Sequence, residues 1–162
     1  MESAETLFLR ADRDIKDGYN DLALNSFKDL VSLYPNYGPA HNHLGWLYET
    51  KFSNYAEAEK HYKQCLLYNP EYPAVYYNLA IVLSTLGRYD ELKDLLKKAL
   101  TIKGINKATI YNEYGIMFEM IGEYDLAINN YKEAYRFSID DTKNKIYLDS
   151  VERCKNKTST FS

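Results

Sequence analysis

At 162 residues the chain is about one domain long, and its 46% apolar and 27% charged side chains suit a globular protein with a continuous core. A net charge of −3 is too small to argue for nucleic acid or a membrane surface, and two cysteines, Cys65 and Cys154, supply neither a disulfide framework nor a four-thiolate zinc site. Four prolines and seven glycines are too few for a turn-rich all-β fold, and no stretch approaches the roughly 18 uncharged apolar residues of a spanning helix.

The start, Met1-Glu2-Ser3-Ala4-Glu5, is acidic and lacks the basic residues and apolar run of a secretion signal, so a cytoplasmic protein is expected. The outlier is tyrosine, with 17 Tyr against 6 Phe and 1 Trp. The fold must use a large ring with a polar tip many times over.

Taken in order, the chain reads as pairs of helices at one repeating interval. The first pair, over residues 4–37, holds Ala11, Gly18, Ala23, Phe27 and Pro35. The second, over 38–72, returns Ala58, Tyr62 and Pro70, each 35 residues behind its counterpart. Its turn, Lys51-Phe52-Ser53-Asn54-Tyr55, holds one extra residue. The third, over 73–107, carries Tyr76, Leu79, Ala80 and Leu83 at the i, i+3, i+4, i+7 spacing of an amphipathic helix. Gly87 breaks that helix where a left-handed residue is cheap, and Leu92, Leu95, Leu96, Ala99 and Leu100 form a second stripe. The fourth, over 108–141, repeats this with Tyr111, Tyr114, Gly115, Phe118, a stop at Gly122, then Leu126, Ala127, Tyr131 and Ala134. Gly45, Ala80 and Gly115 are also 35 apart. Beyond them Ile146, Tyr147, Val151 and Cys154 mark a charged capping helix over 142–155, and residues 156–162 lack an apolar pattern and are expected as a disordered tail. No pair has enough apolar positions to bury itself alone. Stacking supplies the missing cover and makes residues 1–156 one domain.

The pattern resembles the tetratricopeptide repeat (TPR), a hairpin of about 34 residues with an aromatic, Leu-Gly, Tyr, then Ala, an aromatic and Pro. His41, Leu44-Gly45, Tyr48, Ala58, Tyr62 and Pro70 fill those roles in the second unit. Tyr76, Leu79-Ala80, Leu83, Gly87, Tyr89 and Ala99 fill them in the third, and Tyr111, Tyr114-Gly115, Phe118, Tyr124, Ala127, Tyr131 and Ala134 in the fourth. The resemblance covers about residues 4–141 and implies an all-α fold, a right-handed α-solenoid of stacked antiparallel helix hairpins in a TPR-like superhelix. Gly45, Ala80 and Gly115 then let the paired helix of the same hairpin approach, with aromatics filling the holes beside them. The first unit departs by carrying Arg10 and Asp14 where Leu and Tyr are expected, as a terminal repeat does when one face meets water. The third has Leu92 for Ala and Gly104 for Pro.

By the family's geometry the first helix of each hairpin lines a concave groove. This implies groove positions Asn42, His43, Trp46 and Glu49; Tyr77, Asn78, Ile81 and Thr85; and Asn112, Glu113, Ile116, Glu119 and Met120. The degenerate first unit adds Glu5, Phe8, Leu9 and Asp12. Such a groove is Asn, aromatic and acid. Asn side chains offer a donor and an acceptor to an extended peptide, and Trp46 and Tyr77 offer rings to an apolar or cationic side chain. The expected function is a non-catalytic protein–protein interaction scaffold holding an extended peptide or partner helix of basic or mixed charge. The family's clamp for chaperone C-terminal carboxylates is not expected. Its cation and Asn positions fall on Asn42, Trp46, Asn78, Thr109 and Glu113, which match only at Asn78.

Neither enzyme, metal nor cofactor is expected. His61 and Cys65 are four apart on one helix, half a metal site at most, and Cys65 stands where a small core residue belongs. His41 takes a packing position and His43 a groove position. No phosphate loop, nucleophile elbow or zinc-protease helix is present in the sequence. Lys93, Lys97, Lys98, Lys103 and Lys107 read as a solvated outer face without the interleaved aromatics of a nucleic-acid binder. The alternative function is a structural module that self-associates, or joins a larger assembly, through its terminal helices. Exposed apolar surface along the groove favours the scaffold, and exposed surface around Ile146, Tyr147 and Val151 favours assembly.

Overall fold

The computed structural model describes residues 2–161, and among them every regular element is a helix. Residue contacts divide the chain into two compact units, residues 1–82 and 83–162.

The first unit holds α1 (Ala4–Lys16), α2 (Asn20–Leu33), α3 (Gly38–Thr50), α4 (Tyr55–Tyr68) and most of α5 (Pro73–Thr85). Successive helices pack on each other, α1 on α2, α2 on α3 and α3 on α4. Ala11, Ala23, Phe27, Leu30, Ala40, Leu44 and Leu47 make a core cluster, with Phe8, Trp46 and Tyr48 against its edge. The start of α1 is fixed by Ser3, whose hydroxyl accepts from the Thr6 amide at 3.2 Å, and α4 by Asn54, which accepts from the Glu57 amide at 3.2 Å.

The small residue of the repeat does steric work in the second hairpin. A Cβ on Gly45 would lie 2.5 Å from Cε1 of Tyr62, so the ring of α4 rests directly on the backbone of α3. The ring's hydroxyl then donates to Glu49 Oε2 at 2.6 Å. Burial raises the Tyr62 phenol far above its ordinary range, and the Glu49 carboxylate raises it further, so the hydroxyl keeps its proton. The connection from α3 to α4, residues 51–54, has one residue more than the connections 17–19, 86–88 and 121–123. Those three use a left-handed glycine, whereas here Ser53 takes φ +50°.

The same hairpin contains a histidine pair. His41 Nε2 donates to the Pro35 carbonyl at 2.8 Å, which leaves its Nδ1 lone pair to accept from His61 Nδ1–H at 3.1 Å. Tyr48 stacks on His61 at 5.6 Å, and Glu57 lies 3.9 Å from its Nε2. Burial, then the neighbouring His41, lowers His61 to about 4, with Lys60 and Lys28 acting in the same direction and Glu57 opposing. A histidine held neutral below its unfolded value makes stability fall with acid. The thermal midpoint is therefore expected to drop as pH falls from 6.5 towards 4. His61→Gln should be less stable at neutral pH and show a shallower slope; an unchanged slope would remove this pair as the cause.

The second unit holds α6 (Tyr89–Ala99), α7 (Lys107–Met120), α8 (Tyr124–Phe137) and α9 (Asp141–Phe161), together with the end of α5. Here α6 packs on α7, α7 on α8 and α8 on α9. The hairpin geometry recurs. A Cβ on Gly115 would lie 2.6 Å from Cδ1 of Tyr131, whose hydroxyl donates to Glu119 Oε2 at 2.9 Å. Asn106 caps α7 by accepting from the Thr109 amide at 3.1 Å. Lys93, Lys97, Lys98 and Lys103 are all exposed, as is Lys107 at the start of α7.

The last helix corrects the sequence reading, which ended it near residue 155 and expected a tail over 156–162. Instead α9 continues to Phe161, and Ser162 lies outside the described residues. The apolar pattern does stop, but other bonds replace it. The hydroxyls of Thr158 and Thr160 donate back to the carbonyls of Cys154 and Asn156 at 3.1 and 2.7 Å, and Lys157 is anchored to Glu119 at 2.8 Å. Tyr147, Ser150, Val151 and Cys154 form the buried stripe of α9. Of the three residues expected to reveal an assembly face, only Ile146 is exposed.

Cys65 in the first unit and Cys154 in the second are fully buried free thiols, pushed by burial up to about 12 and about 11.

Candidate binding site

In the first unit, helices α1, α3 and α5 enclose a cavity of about 270 Å³ lined by Asp12, Ile15, Lys16, Asn42, His43, Trp46 and Asn78. Four of the sequence-derived groove residues, Asn42, His43, Trp46 and Asn78, thus share one concavity, as does Asp12 of the degenerate repeat. Residues 42 and 46 are one turn apart on α3 and share a face, while Asn78 joins them from α5 through Asn42 and Asp12 from α1 beside His43.

Asn42 is 4% exposed, and its Oδ1 accepts from Asn78 Nδ2 at 3.1 Å. This amide pair ties α3 to α5 and is itself part of the wall. His43 Nδ1 donates to the Pro39 carbonyl at 3.0 Å, which turns Nε2 towards Asp12 Oδ1 at 3.6 Å. Burial lowers the His43 pKa, with Lys16 in the same sense, while the Pro39 bond and Asp12 oppose. Asp12 also pairs with Lys16 through its other oxygen at 2.6 Å. Trp46 is half-buried, with Lys51 Nζ 5.2 Å from its ring centre.

Other groove positions have different duties. Phe8 belongs to the core edge, with edge-on contacts to Phe27 and His43 at 5.6 and 4.7 Å. Glu49 serves the Tyr62 hydroxyl, and burial raises its pKa against that hydrogen bond. Tyr77 is half-buried and Ile81 is exposed.

In the second unit Asn112 and Glu113 are half-buried neighbours, and burial raises the Glu113 pKa while a hydrogen bond from Asn112 lowers it. Ile116 packs against the cluster of Ala127, Tyr131, Val151 and Cys154. Glu119 is the most heavily bonded carboxylate described, receiving Arg153 Nε and Nη2 at 2.7 Å each, Lys157 Nζ at 2.8 Å and Tyr131 at 2.9 Å. The Arg153 hydrogen bonds hold its pKa far below the carboxylate range despite burial. Reading Glu49 and Glu119 as groove positions missed this structural task. A signal for it was available, since both glutamates sit one turn after the small glycine and each faces a Tyr at the repeat's second aromatic position. Where that position holds Phe27 or Leu96, the residues corresponding to the glutamates are Asp14 and Ser84.

Among the described residues no group of three or more His, Cys, Asp or Glu is placed to hold a metal ion, and no helix is long and apolar enough to cross a membrane. Helix pairs repeating at one interval, with a small residue under an aromatic ring in the second and fourth, define an all-α protein of the helical-hairpin repeat class. Tetratricopeptide repeat models match residues 38–72 and 71–139, and the chain belongs to that family.

Hsp70-Hsp90 organizing protein 3 of Arabidopsis thaliana is 34% identical over 105 residues, which cover 64% of this chain and 18% of that protein. Hsp70-Hsp90 organizing protein 1 of Glycine max is 32% identical over 105 residues with the same shares. The chain thus spans under a fifth of the length of these curated relatives. Among solved structures, the thermophilic TPR protein TTC0263 of Thermus thermophilus superposes with a TM-score of 0.73 at 22% identity, over 93% of this chain and 82% of that one. A MamA protein gives 0.73 at 19% identity, over 100% and 97%. These likenesses establish the hairpin-repeat fold.

Proposed function

We propose that the chain is a protein–protein interaction scaffold whose first unit holds an extended peptide segment of a partner against α1, α3 and α5. The coarse part of this reading follows from the family, and the names of the curated relatives, organizing proteins of two chaperones, are in keeping with it. The observation that carries the finer part is the cavity of about 270 Å³ where Asn42, Asn78 and Trp46 meet. It joins a polar wall, the Asn42–Asn78 amide pair, to an aromatic surface that can hold a side chain.

A clamp for a chaperone's C-terminal carboxylate is not proposed. Asn42, Trp46, Thr109 and Glu113 stand where a carboxylate clamp would place its other groups, and Glu113 would repel a carboxylate.

The test is peptide binding by the chain with Trp46→Ala and Asn78→Ala combined. Loss of an aromatic anchor and an amide partner is expected to weaken binding at least about tenfold, while the helical circular dichroism signal stays. Unchanged affinity would place the binding surface elsewhere.

A further inference from the structure

The hydrogen bonds inside this cavity assign its chemistry one step further, on the basis that the groove is the peptide site. The Nδ1–H of His43 is committed to the Pro39 carbonyl, so Nε2 of the neutral ring is a lone pair. That lone pair faces Asp12 Oδ1 at 3.6 Å. Two acceptors opposed at this distance repel one another, and a shared donor placed between them relieves the repulsion. Asn78, whose Nδ2 is used on Asn42, lines the same cavity and its amide oxygen is a third acceptor. Trp46 and Ile15 supply apolar surface beside the three.

We propose that this cavity is a subsite for a lysine side chain of the bound peptide. The ammonium would sit among Asp12, His43 and Asn78, with its alkyl stem along Trp46 and Ile15. An ammonium has three N–H donors around one point and can bridge single acceptors that face one another, as Nε2 of His43 and Oδ1 of Asp12 do. A guanidinium fits less well, because its planar fork wants both oxygens of one carboxylate, and Oδ2 of Asp12 is already engaged by Lys16 at 2.6 Å. An acidic side chain would add a fourth acceptor. Lys16, with its side chain 73% exposed, is the intramolecular competitor that the incoming lysine meets at Asp12.

The experiment is selection from a random-peptide library displayed on phage against the whole chain, followed by titration with N-acetylated synthetic peptides. The selected sequences are expected to carry lysine at one fixed position. Replacing that lysine by norleucine or acetyl-lysine should weaken binding about tenfold, the scale of one lost charge-assisted hydrogen-bond set. Asp12→Asn should weaken the lysine peptide by a similar factor and leave the norleucine peptide unchanged. Lys16→Met alters an exposed side chain and removes the competitor, so it should tighten the lysine peptide about threefold, a fraction of one surface ion pair. Opposite signs at residues 12 and 16 separate a real subsite from a general loss of structure. Selected peptides that need Trp46 but show no lysine preference, or ignore Asp12→Asn, would overturn the subsite and leave the groove standing. Failure to select any peptide that depends on Trp46 and Asn78 would overturn both.

Discussion

Gly45→Ala is expected to cost about 2 kcal/mol of folding stability, and Gly115→Ala a similar amount, although alanine is the better helix former. Two effects oppose each other. Helix propensity favours alanine by about 1 kcal/mol, whereas overpacking a well-filled core costs about 1–3 kcal/mol, and contacts this short put it at about 3. The contact geometry decides between them. The new methyl would lie 2.5 Å from the Tyr62 ring or 2.6 Å from the Tyr131 ring, distances that force the ring or a whole helix to move. Both tyrosines are almost fully buried and tethered at the hydroxyl, so neither ring can step aside cheaply. Urea unfolding of each variant checks this directly, and a variant as stable as the parent would show that the ring contact is not limiting. The chain itself suggests a rescue. Its third repeat pairs Ala80 with Leu96 at the equivalent positions, so Tyr62→Leu should recover part of the loss in the Gly45→Ala background.

The second large effect is expected at Glu119. Glu119→Gln should cost about 1.5–3 kcal/mol, the range for hydrogen bonds to a charged group. Only the acid is buried, with its side chain 10% exposed; Arg153 and Lys157 are half-exposed and regain water when the charge is removed, so no buried charge is stranded. Glutamine would also turn an amide N–H towards donors that need an acceptor. Because three of the four bonds come from α9 and α9 packs chiefly on α8, amide exchange should rise most along residues 141–161. The sign of the pH effect follows from the lowered pKa. The contribution is complete above the unfolded value near 4.5 and is lost as pH falls towards the much lower folded value. The variant should therefore lose stability at neutral pH and show a flatter acid limb. Unaltered α9 exchange would mean that the Tyr147, Val151 and Cys154 stripe alone holds the helix.

Periodicity made the fold legible because stacking leaves a trace at every repeat. Ala23, Ala58 and Ala127 are all fully buried, as the repeating interval required. The extra residue between α3 and α4 was legible too, since a count of turn residues needs no tertiary information. The end of α9 was not. Its last turns are held by hydroxyls folded back on carbonyls and by Lys157 reaching Glu119, and none of these produces an apolar stripe. At the candidate site, Asn42, His43, Trp46 and Asn78 could be named together because the family resemblance implies that the first helix of each hairpin lines one groove. Their hydrogen bonds could not be read. Whether Asn42 faces a ligand or Asn78, and which nitrogen His43 commits to Pro39, depend on neighbours up to 36 residues away in sequence. Phe8, expected on the groove, packs at the core edge and against His43; in a terminal repeat the two sides are hard to tell apart from one helix.

The two buried thiols carry a practical consequence. A cysteine that ionises near 11 or 12 has almost no thiolate at neutral pH, and a buried one offers no path for reagent. Cys65 and Cys154 are thus silent while their surroundings are closed and become alkylated when those surroundings open. One lies in residues 1–82 and the other in 83–162. The native sequence therefore contains a separate chemical clock for each unit, and mass spectrometry of a timed alkylation reads both from a single sample without an engineered label.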